Sequence, residues 1–465
     1  PCTGRVSHTL NLRLFPEQLV YIVNHAEDEA IFVDNSLVPL LWPNLGEFTT
    51  VKHVVVMNDT GGPLPTDAPG GIQIHDYETL IAAAVPREFH IEDENAAAAM
   101  MYTSGTTGHP KGVVYTHRSI TLHTFGGMMA DSVGICEHDT ILPVVPMFHA
   151  NAWGVPFVCT LCGMKQVLPG RQILDMAALC RTITDEKVTF SCGVPTIWIM
   201  LHNYLEQGGA YDFSSVGNFF SGGSALPRYR IESFEKKYGV ILSQGYGATE
   251  TSPVVTLSIP KSYMQTLSVD EKIDIRTTAG MPVPMLDVKL ISLETGKEAR
   301  MDGRDMGEIL VRGPWIAGEY YKNPQQSAIT FKDGWFRTGD IGVRAPDGYI
   351  TLEGRRSELI ISGGFNIYPR EVEDALMAHG AVASACVIGV PDEKWGEAVK
   401  AFVVLKPGAN VGVAELQAHV KDKRGAPWSP KSIDFVANIP VTGLGKLDRK
   451  ALRAPYWEGR SRGVA

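Results

Sequence analysis

The spacing of apolar residues changes along this chain, and each change predicts a different kind of structure. The stretch TLNLRLFPEQLVYIVNHAEDEAIFVD (9–34) opens strand-like and enters a helix at Pro16, with Leu19, Ile22 and Val23 at helical spacing. It closes on an apolar run at 30–33 that reads as a buried strand. A second apolar run at 51–57 predicts another strand, and the alternation indicates an open α/β sheet. Residues 58–71, rich in Gly, Pro, Thr and Asp, read as a surface loop. Helical periodicity then predicts helices over 119–129, 175–186, 196–206 and 228–238, with strands at 166–168, 190–192 and 218–220. Together they make a second α/β layer.

From about Thr278 the pattern shortens to apolar segments cut by turn residues: VPMLDVKLI, GEILVRG and GWFRTGDIGVRAPDGYITLEGR. Pro346-Asp347-Gly348 is a hairpin signal, because proline presets the turn and glycine accepts positive φ. A small β-barrel or meander fits this region. After Arg355 the pattern becomes α+β, with helices over 369–378 and 413–421 and strands over 384–389, 398–405 and 433–436. That is enough for a separate domain of about 110 residues.

Length and composition narrow the function classes. At roughly 150 residues per domain, 465 residues suggest two to four units. A hydrophobic fraction of 44% and a charged fraction of 20% describe a soluble globular protein. The net charge of −9 argues against nucleic-acid binding, so any nucleotide must be held by local basic residues. Seven scattered cysteines, mostly in apolar contexts, favour a reducing, cytoplasmic compartment, and Cys159-Thr-Leu-Cys162 reads as core packing. The most apolar region, 144–168, is interrupted by His149, Asn151, Lys165 and prolines, so no transmembrane span is expected.

Candidate chemistry centres on MYTSGTTGHPKGVVY (101–115), which packs Thr103, Ser104, Gly105, Thr106, Thr107, Gly108 and Lys111 into nine positions. Glycines admit an anion close to the backbone, hydroxyls and N–H groups donate to it, and lysine supplies charge. The P-loop pattern fails, since Pro110 and Gly112 stand where it needs glycine and Ser/Thr. A ligand-free surface loop is the plainer alternative. Further polar islands between apolar strands are PMFHANAW (146–153), SGGSALP (221–227), QGYGATETSP (244–253), TGD (338–340), GRRSELIISGGFNIYP (354–369) and PVTGLGKLDR (440–449).

In this order, these stretches resemble the adenylate-forming superfamily of acyl-CoA synthetases, luciferases and peptide-synthetase adenylation domains, over nearly the whole chain. PVVPMFHANAW and VLPGR are most similar to medium- and long-chain fatty acyl-CoA synthetases. The resemblance implies a large N-terminal domain, 1–356, of two layered α/β sheets plus a small β-barrel. A smaller, mobile α+β C-terminal domain, 357–465, carries the lysine loop. It implies a ligase that activates a carboxylic acid with Mg-ATP to acyl-AMP and passes the acyl group to coenzyme A, with a homodimer as the family-level expectation. The opening GRVSHTLNLRL resembles a segment internal to relatives, so an initial portion of that fold is expected to be missing.

Roles follow by the same resemblance. Thr103, Ser104, Gly105, Thr106, Thr107 and Lys111 hold the phosphates, Thr249 meets the α-phosphate and Glu250 ligates Mg²⁺. Gly222, Gly223, Ser224 and Ala225, with Gly245, Tyr246 and Gly247, enclose the adenine. Asp340 accepts the ribose hydroxyls, Arg355 adds a contact nearby, and Lys446 bridges carboxylate and phosphate. His149 lies near the acid's carboxylate, and Trp153 gates a fatty-acid tunnel. Gly363 and Gly364 admit the pantetheine arm after rotation about a hinge at Ser357, where many relatives carry Asp or Lys. Bare, these residues have plainer readings: a helix-start carboxylate for Glu250, a turn aspartate for Asp340, a solvated Arg355, a surface Lys446, and core packing for His149 and Trp153. Two other functions stay open, a ligase for a short or sulfur-containing acid and a non-catalytic nucleotide-binding paralogue.

Overall fold

The computed structural model describes residues 1–59, 61–86, 88–103, 109–441 and 447–459. Helix Pro16–Ala26 starts on a proline in its first turn and stops at Glu27, whose φ of 60° breaks the helical path. It buries Ile22 and Val23 against a three-stranded parallel sheet of Ala30–Asp34, His53–Met57 and Gln73–Asp76. A second small sheet sets Ala97–Thr103 between Ser7–His8, parallel, and Lys111–Thr116, antiparallel. In that antiparallel pair Thr103 faces Lys111.

The central sheet has seven strands, ordered Met281–Pro282, Val254–Leu257, Leu242–Gly247, Asn218–Gly222, Phe190–Gly193, Thr140–Pro143 and Lys165–Gln166. Asn218–Gly222 runs parallel to both of its neighbours. Alternation along it sends adjacent phenylalanines to opposite faces. Phe219 packs with Trp198 and Phe234 under helices Pro195–Leu205 and Arg228–Tyr238, whereas Phe220 joins Val255, Tyr246 and Trp315 on the other side. Both faces are covered, and the parallel strand ends open at one edge.

The region read as a barrel or meander is a five-stranded antiparallel sheet of Asp287–Ser292, Gly307–Arg312, Phe331–Lys332, Trp335–Arg344 and Ile350–Arg355. Its last hairpin turns at Gly348, with φ at 94°, and the pairing sets Asp340 opposite Arg355. Beyond it, helices Pro369–Met377 and Val413–Arg424 pack on a five-stranded sheet around Ile360, Val372, Leu376, Val403 and Leu416, a hydrophobic cluster of its own.

Helix His117–Met128 begins two residues before the expected start, because the Thr116 hydroxyl accepts from the Ser119 N–H at 3.0 Å and caps it there. The strand expected at 166–168 is the shorter Lys165–Gln166. Among the described residues no helix is long and apolar enough to cross a membrane.

Candidate active site

The carboxyl ends of Asn218–Gly222 and Leu242–Gly247 open into a cleft of roughly 1200 Å³, the position where open α/β sheets bind ligands. Gly222, Gly223, Ser224, Ala225, Gly245, Tyr246 and Gly247 all line it. A Cβ on Gly222 would stand 2.9 Å from the Trp153 ring and 3.2 Å from the Gly245 carbonyl, so glycine is what lets the indole lie on the strand end. Gly247 is tighter, with a Cβ only 1.7 Å from the Pro253 carbonyl oxygen. The turn after Gly222 is tied from below by Gln244, whose Oε1 accepts from Leu226 N–H at 2.6 Å. Its Nε2 donates to the Arg276 and Thr277 carbonyls at 3.1 and 2.9 Å.

One wall carries a tyrosine–aspartate–arginine chain. The Tyr246 hydroxyl donates to Asp340 Oδ2 at 2.7 Å, and Arg355 Nε lies 3.2 Å from Asp340 Oδ1. Burial first, then the Asp340 charge, pushes the Tyr246 phenol well above its usual range, while Asp340 raises the Arg355 guanidinium. Each Asp340 oxygen keeps a spare lone pair, so the carboxylate can still accept hydroxyls. Asp340→Ala removes the Asp340 acceptor from the Tyr246 hydroxyl, on a residue only 9% exposed. Urea unfolding of that variant is expected to report a loss of about 1–3 kcal/mol.

Thr103, Lys111, Thr249 and Glu250 line the same cleft. Lys111 Nζ sits 4.8 Å above the centre of the Tyr320 ring, and the Tyr320 hydroxyl donates to Glu250 Oε1 at 2.6 Å. Burial, then Glu250, raises the Tyr320 phenol far enough to keep it a donor. Tyr115 Oη donates to the Thr249 carbonyl at 2.6 Å, and Ala317 N–H to that of Glu250 at 2.8 Å. Tyr320, Tyr115 and Gln244 were not singled out from the sequence, although Tyr115 and Gln244 lay inside motifs that were. Among the described residues no group of three or more His, Cys, Asp or Glu can hold a metal alone. Glu250 instead brings a single carboxylate to the cleft, an oxygen donor of the kind a Mg²⁺ takes beside substrate oxygens.

The cleft's apolar arm runs past Ile135, Val155, Val158, Phe190 and Phe220. His149 and Trp153 also line the cleft, with ring centroids 6.5 Å apart. Ala150, Asn151, Ala152 and Trp153 have φ of 46°, 50°, 50° and 59°. Such a left-handed run costs roughly 1 kcal/mol or more per non-glycine residue, and backbone strain of this kind concentrates at functional sites.

Ser104, Gly105, Thr106, Thr107 and Lys446 lie outside the described residues. The residues that follow Lys446, Leu447, Asp448 and Arg449, line the cleft, as does Ser357. Gly363 and Gly364 do not line it. They form the turn between Ile360–Ser362 and Phe365–Ile367, where a Cβ on Gly363 would meet the Trp395 ring at 2.5 Å.

Comparisons with known proteins agree with one another. Residues 3–321 match the AMP-binding enzyme family and residues 371–446 its C-terminal domain. A long-chain-fatty-acid–CoA ligase of Thermus thermophilus is 42% identical over 98% of this chain and 82% of its own. A 3-methylmercaptopropionyl-CoA ligase of Ruegeria lacuscaerulensis is 39% identical over 97% and 83%. The crystal structure of the anthranilate CoA ligase AuaEII with anthranoyl-AMP superposes with a TM-score of 0.82 at 25% identity, covering 97% of this chain and 83% of that one.

Proposed function

We propose that this chain, which belongs to the AMP-binding enzyme family, is an AMP-forming fatty acid–CoA ligase. The observation that carries the reading is the single cleft shared by Thr103, Lys111, Glu250, Asp340 and an apolar lining of Ile135, Val155, Val158, Phe190 and Phe220. A triphosphate site with no apolar arm would suit a kinase as well.

The acid arrives already ionised, so its attack on the α-phosphate of ATP needs positioning and charge stabilisation rather than a base. Thr103 and Lys111, with Ser104, Gly105, Thr106 and Thr107, draw charge toward the departing pyrophosphate, and Thr249 steadies the α-phosphate. Glu250 would hold Mg²⁺, which when bound neutralises phosphate oxygens as a Lewis acid. Tyr246 and the 222–225 turn enclose the adenine, while Asp340 and Arg355 orient the ribose. Lys446 bridges the attacking carboxylate and the phosphate. His149 receives the carboxylate end of the acid, and Trp153 lies where its chain enters the arm.

For the second half, the C-terminal domain, 357–465, turns about Ser357, removes Lys446 and presents Gly363 and Gly364 to the pantetheine arm of coenzyme A. The seven cysteines are all free thiols, which suits a reducing cytoplasm. A homodimer completes the proposal, and sedimentation checks it.

The 39% identity to the 3-methylmercaptopropionyl-CoA ligase favours a second reading, a ligase for a short sulfur-containing acid. A pyrophosphate-release screen over short, medium, long, aromatic and methylthio acids separates the two. Best turnover with a medium or long chain supports the first, and preference for the methylthio acid supports the second. Tight ATP binding with no release on any acid overturns both.

A further inference from the structure

Tyr21 and His25, one turn apart on helix Pro16–Ala26, each reach the strand pair that carries Thr103 and Lys111. His25 Nδ1 and the hydroxyl of Tyr102, the residue just before Thr103, share a hydrogen bond of 2.7 Å. The Tyr21 ring stacks on His109, two residues before Lys111, with centroids 4.4 Å apart and planes at 21°. Tyr21 and His25 are themselves stacked at 5.2 Å, so the four rings make one continuous clasp.

Neighbouring groups hold the clasp in place. Gly112, the register partner of Tyr102, leaves room for that ring, since a Cβ there would stand 3.1 Å from Tyr102 Cζ. The other side of Tyr102 meets the His8 ring at 5.2 Å, and His8 Nδ1 lies 2.9 Å from Asp28 Oδ2. Tyr321 closes the near edge, 5.7 Å from His25, and its N–H donates to the Gly112 carbonyl at 2.8 Å. Lys322, paired with Glu27 at 2.8 Å, stands beside His25. Burial first, then the Lys322 charge, lowers the His25 imidazole, with Glu27 opposing, and burial raises the Tyr102 phenol. Neutral His25 and the protonated Tyr102 phenol therefore share one hydrogen bond, its direction set by the imidazole tautomer.

We propose that Tyr21, His25, Tyr102 and His109 are positioning residues for the triphosphate, clamping the strand pair so that Thr103 and Lys111 are aligned before ATP arrives. Tyr102 lines the cleft but Tyr21, His25 and His109 do not, so these three act through Thr103 and Lys111 rather than on substrate, and His25→Phe is the variant that reads positioning alone. This inference rests on the ligase reading above. Its energetic content is preorganisation: a donor pair held in register loses less freedom when the phosphates bind.

The test compares Tyr102→Phe, His25→Phe and the double variant, which keep all the rings and delete one hydrogen bond. Each single change is expected to raise the KM for MgATP about threefold to tenfold, the worth of one such bond. The double variant should rise no further, because both changes remove the same contact. The KM for the acid, and thioester formation from supplied acyl-AMP, should hold at wild-type values, which a general loss of packing would not allow. An unchanged MgATP KM, equal rises for ATP and acid, or multiplicative effects in the double variant overturn the clasp. Calorimetric titration of MgATP into the same proteins keeps the two readings apart. Absence of acid-dependent turnover in the wild type sinks the ligase, whereas equal MgATP affinity in wild type and variants sinks the clasp.

Discussion

Lys446→Ala is expected to cut acid-dependent pyrophosphate release by about a hundred- to thousandfold and to leave thioester formation from supplied acyl-AMP and CoA near the wild-type rate. The split follows from the order of events. In the first half an anion must approach a polyphosphate of like charge, and a cation placed between them lowers that barrier most in the transition state. In the second half the nucleophile is a thiol and the leaving group is AMP, and the proposed rotation withdraws the lysine segment. Leu447, Asp448 and Arg449 lie at the cleft, the site of the proposed adenylation. Equal loss of both halves would mean that Lys446 supports the fold of its segment rather than one chemical step. Quenched-flow measurement of pyrophosphate, beside a separate acyl-AMP-to-thioester assay, reads the two rates independently.

Glu250→Gln is the second large effect. The amide preserves the shape and, through its carbonyl, the acceptor for the Tyr320 hydroxyl, which now bonds Glu250 Oε1 at 2.6 Å. Only the charge is removed. Pyrophosphate release is expected to fall by about a hundredfold or more at fixed Mg²⁺, and the Mg²⁺ concentration for half-maximal rate should move upward. Tyr320→Phe is the control, since it keeps the carboxylate and removes one hydrogen bond, for a loss of about threefold to tenfold. If Glu250→Gln leaves the Mg²⁺ dependence unmoved, Glu250 serves as the partner of Tyr320 and Mg²⁺ is held elsewhere.

Much of the fold was legible because local signals agreed with the tertiary outcome. Helix Arg228–Tyr238 matches its expected bounds, as Gly239 with φ at 70° stops it where the periodicity ends. Helix Val269–Thr277 was missed although Ser268 and Glu271 form a capping box, with Ser268 N–H donating to Glu271 Oε2 at 2.8 Å. Its apolar face is too thin to register, with only Ile273 and Arg276 buried. The polar islands announced Asp340, Tyr246 and Glu250, but not how they are held. The Tyr246–Asp340 bond spans 94 residues and the Tyr320–Glu250 bond 70, distances over which spacing carries no information. Tyr320, in a GEYYKN stretch with no motif around it, could be found only through the packing that brings it under Lys111.

A single-turnover experiment without CoA examines the mechanism most directly. Enzyme in excess is mixed with Mg-ATP labelled at the α-phosphate and with the best acid from the screen. The expected result is label in a bound acyl-AMP, matched by released pyrophosphate, which passes to AMP and acyl-CoA when CoA is added. Label in ADP, pyrophosphate release that ignores the acid, or an adenylate that CoA does not consume would contradict the account.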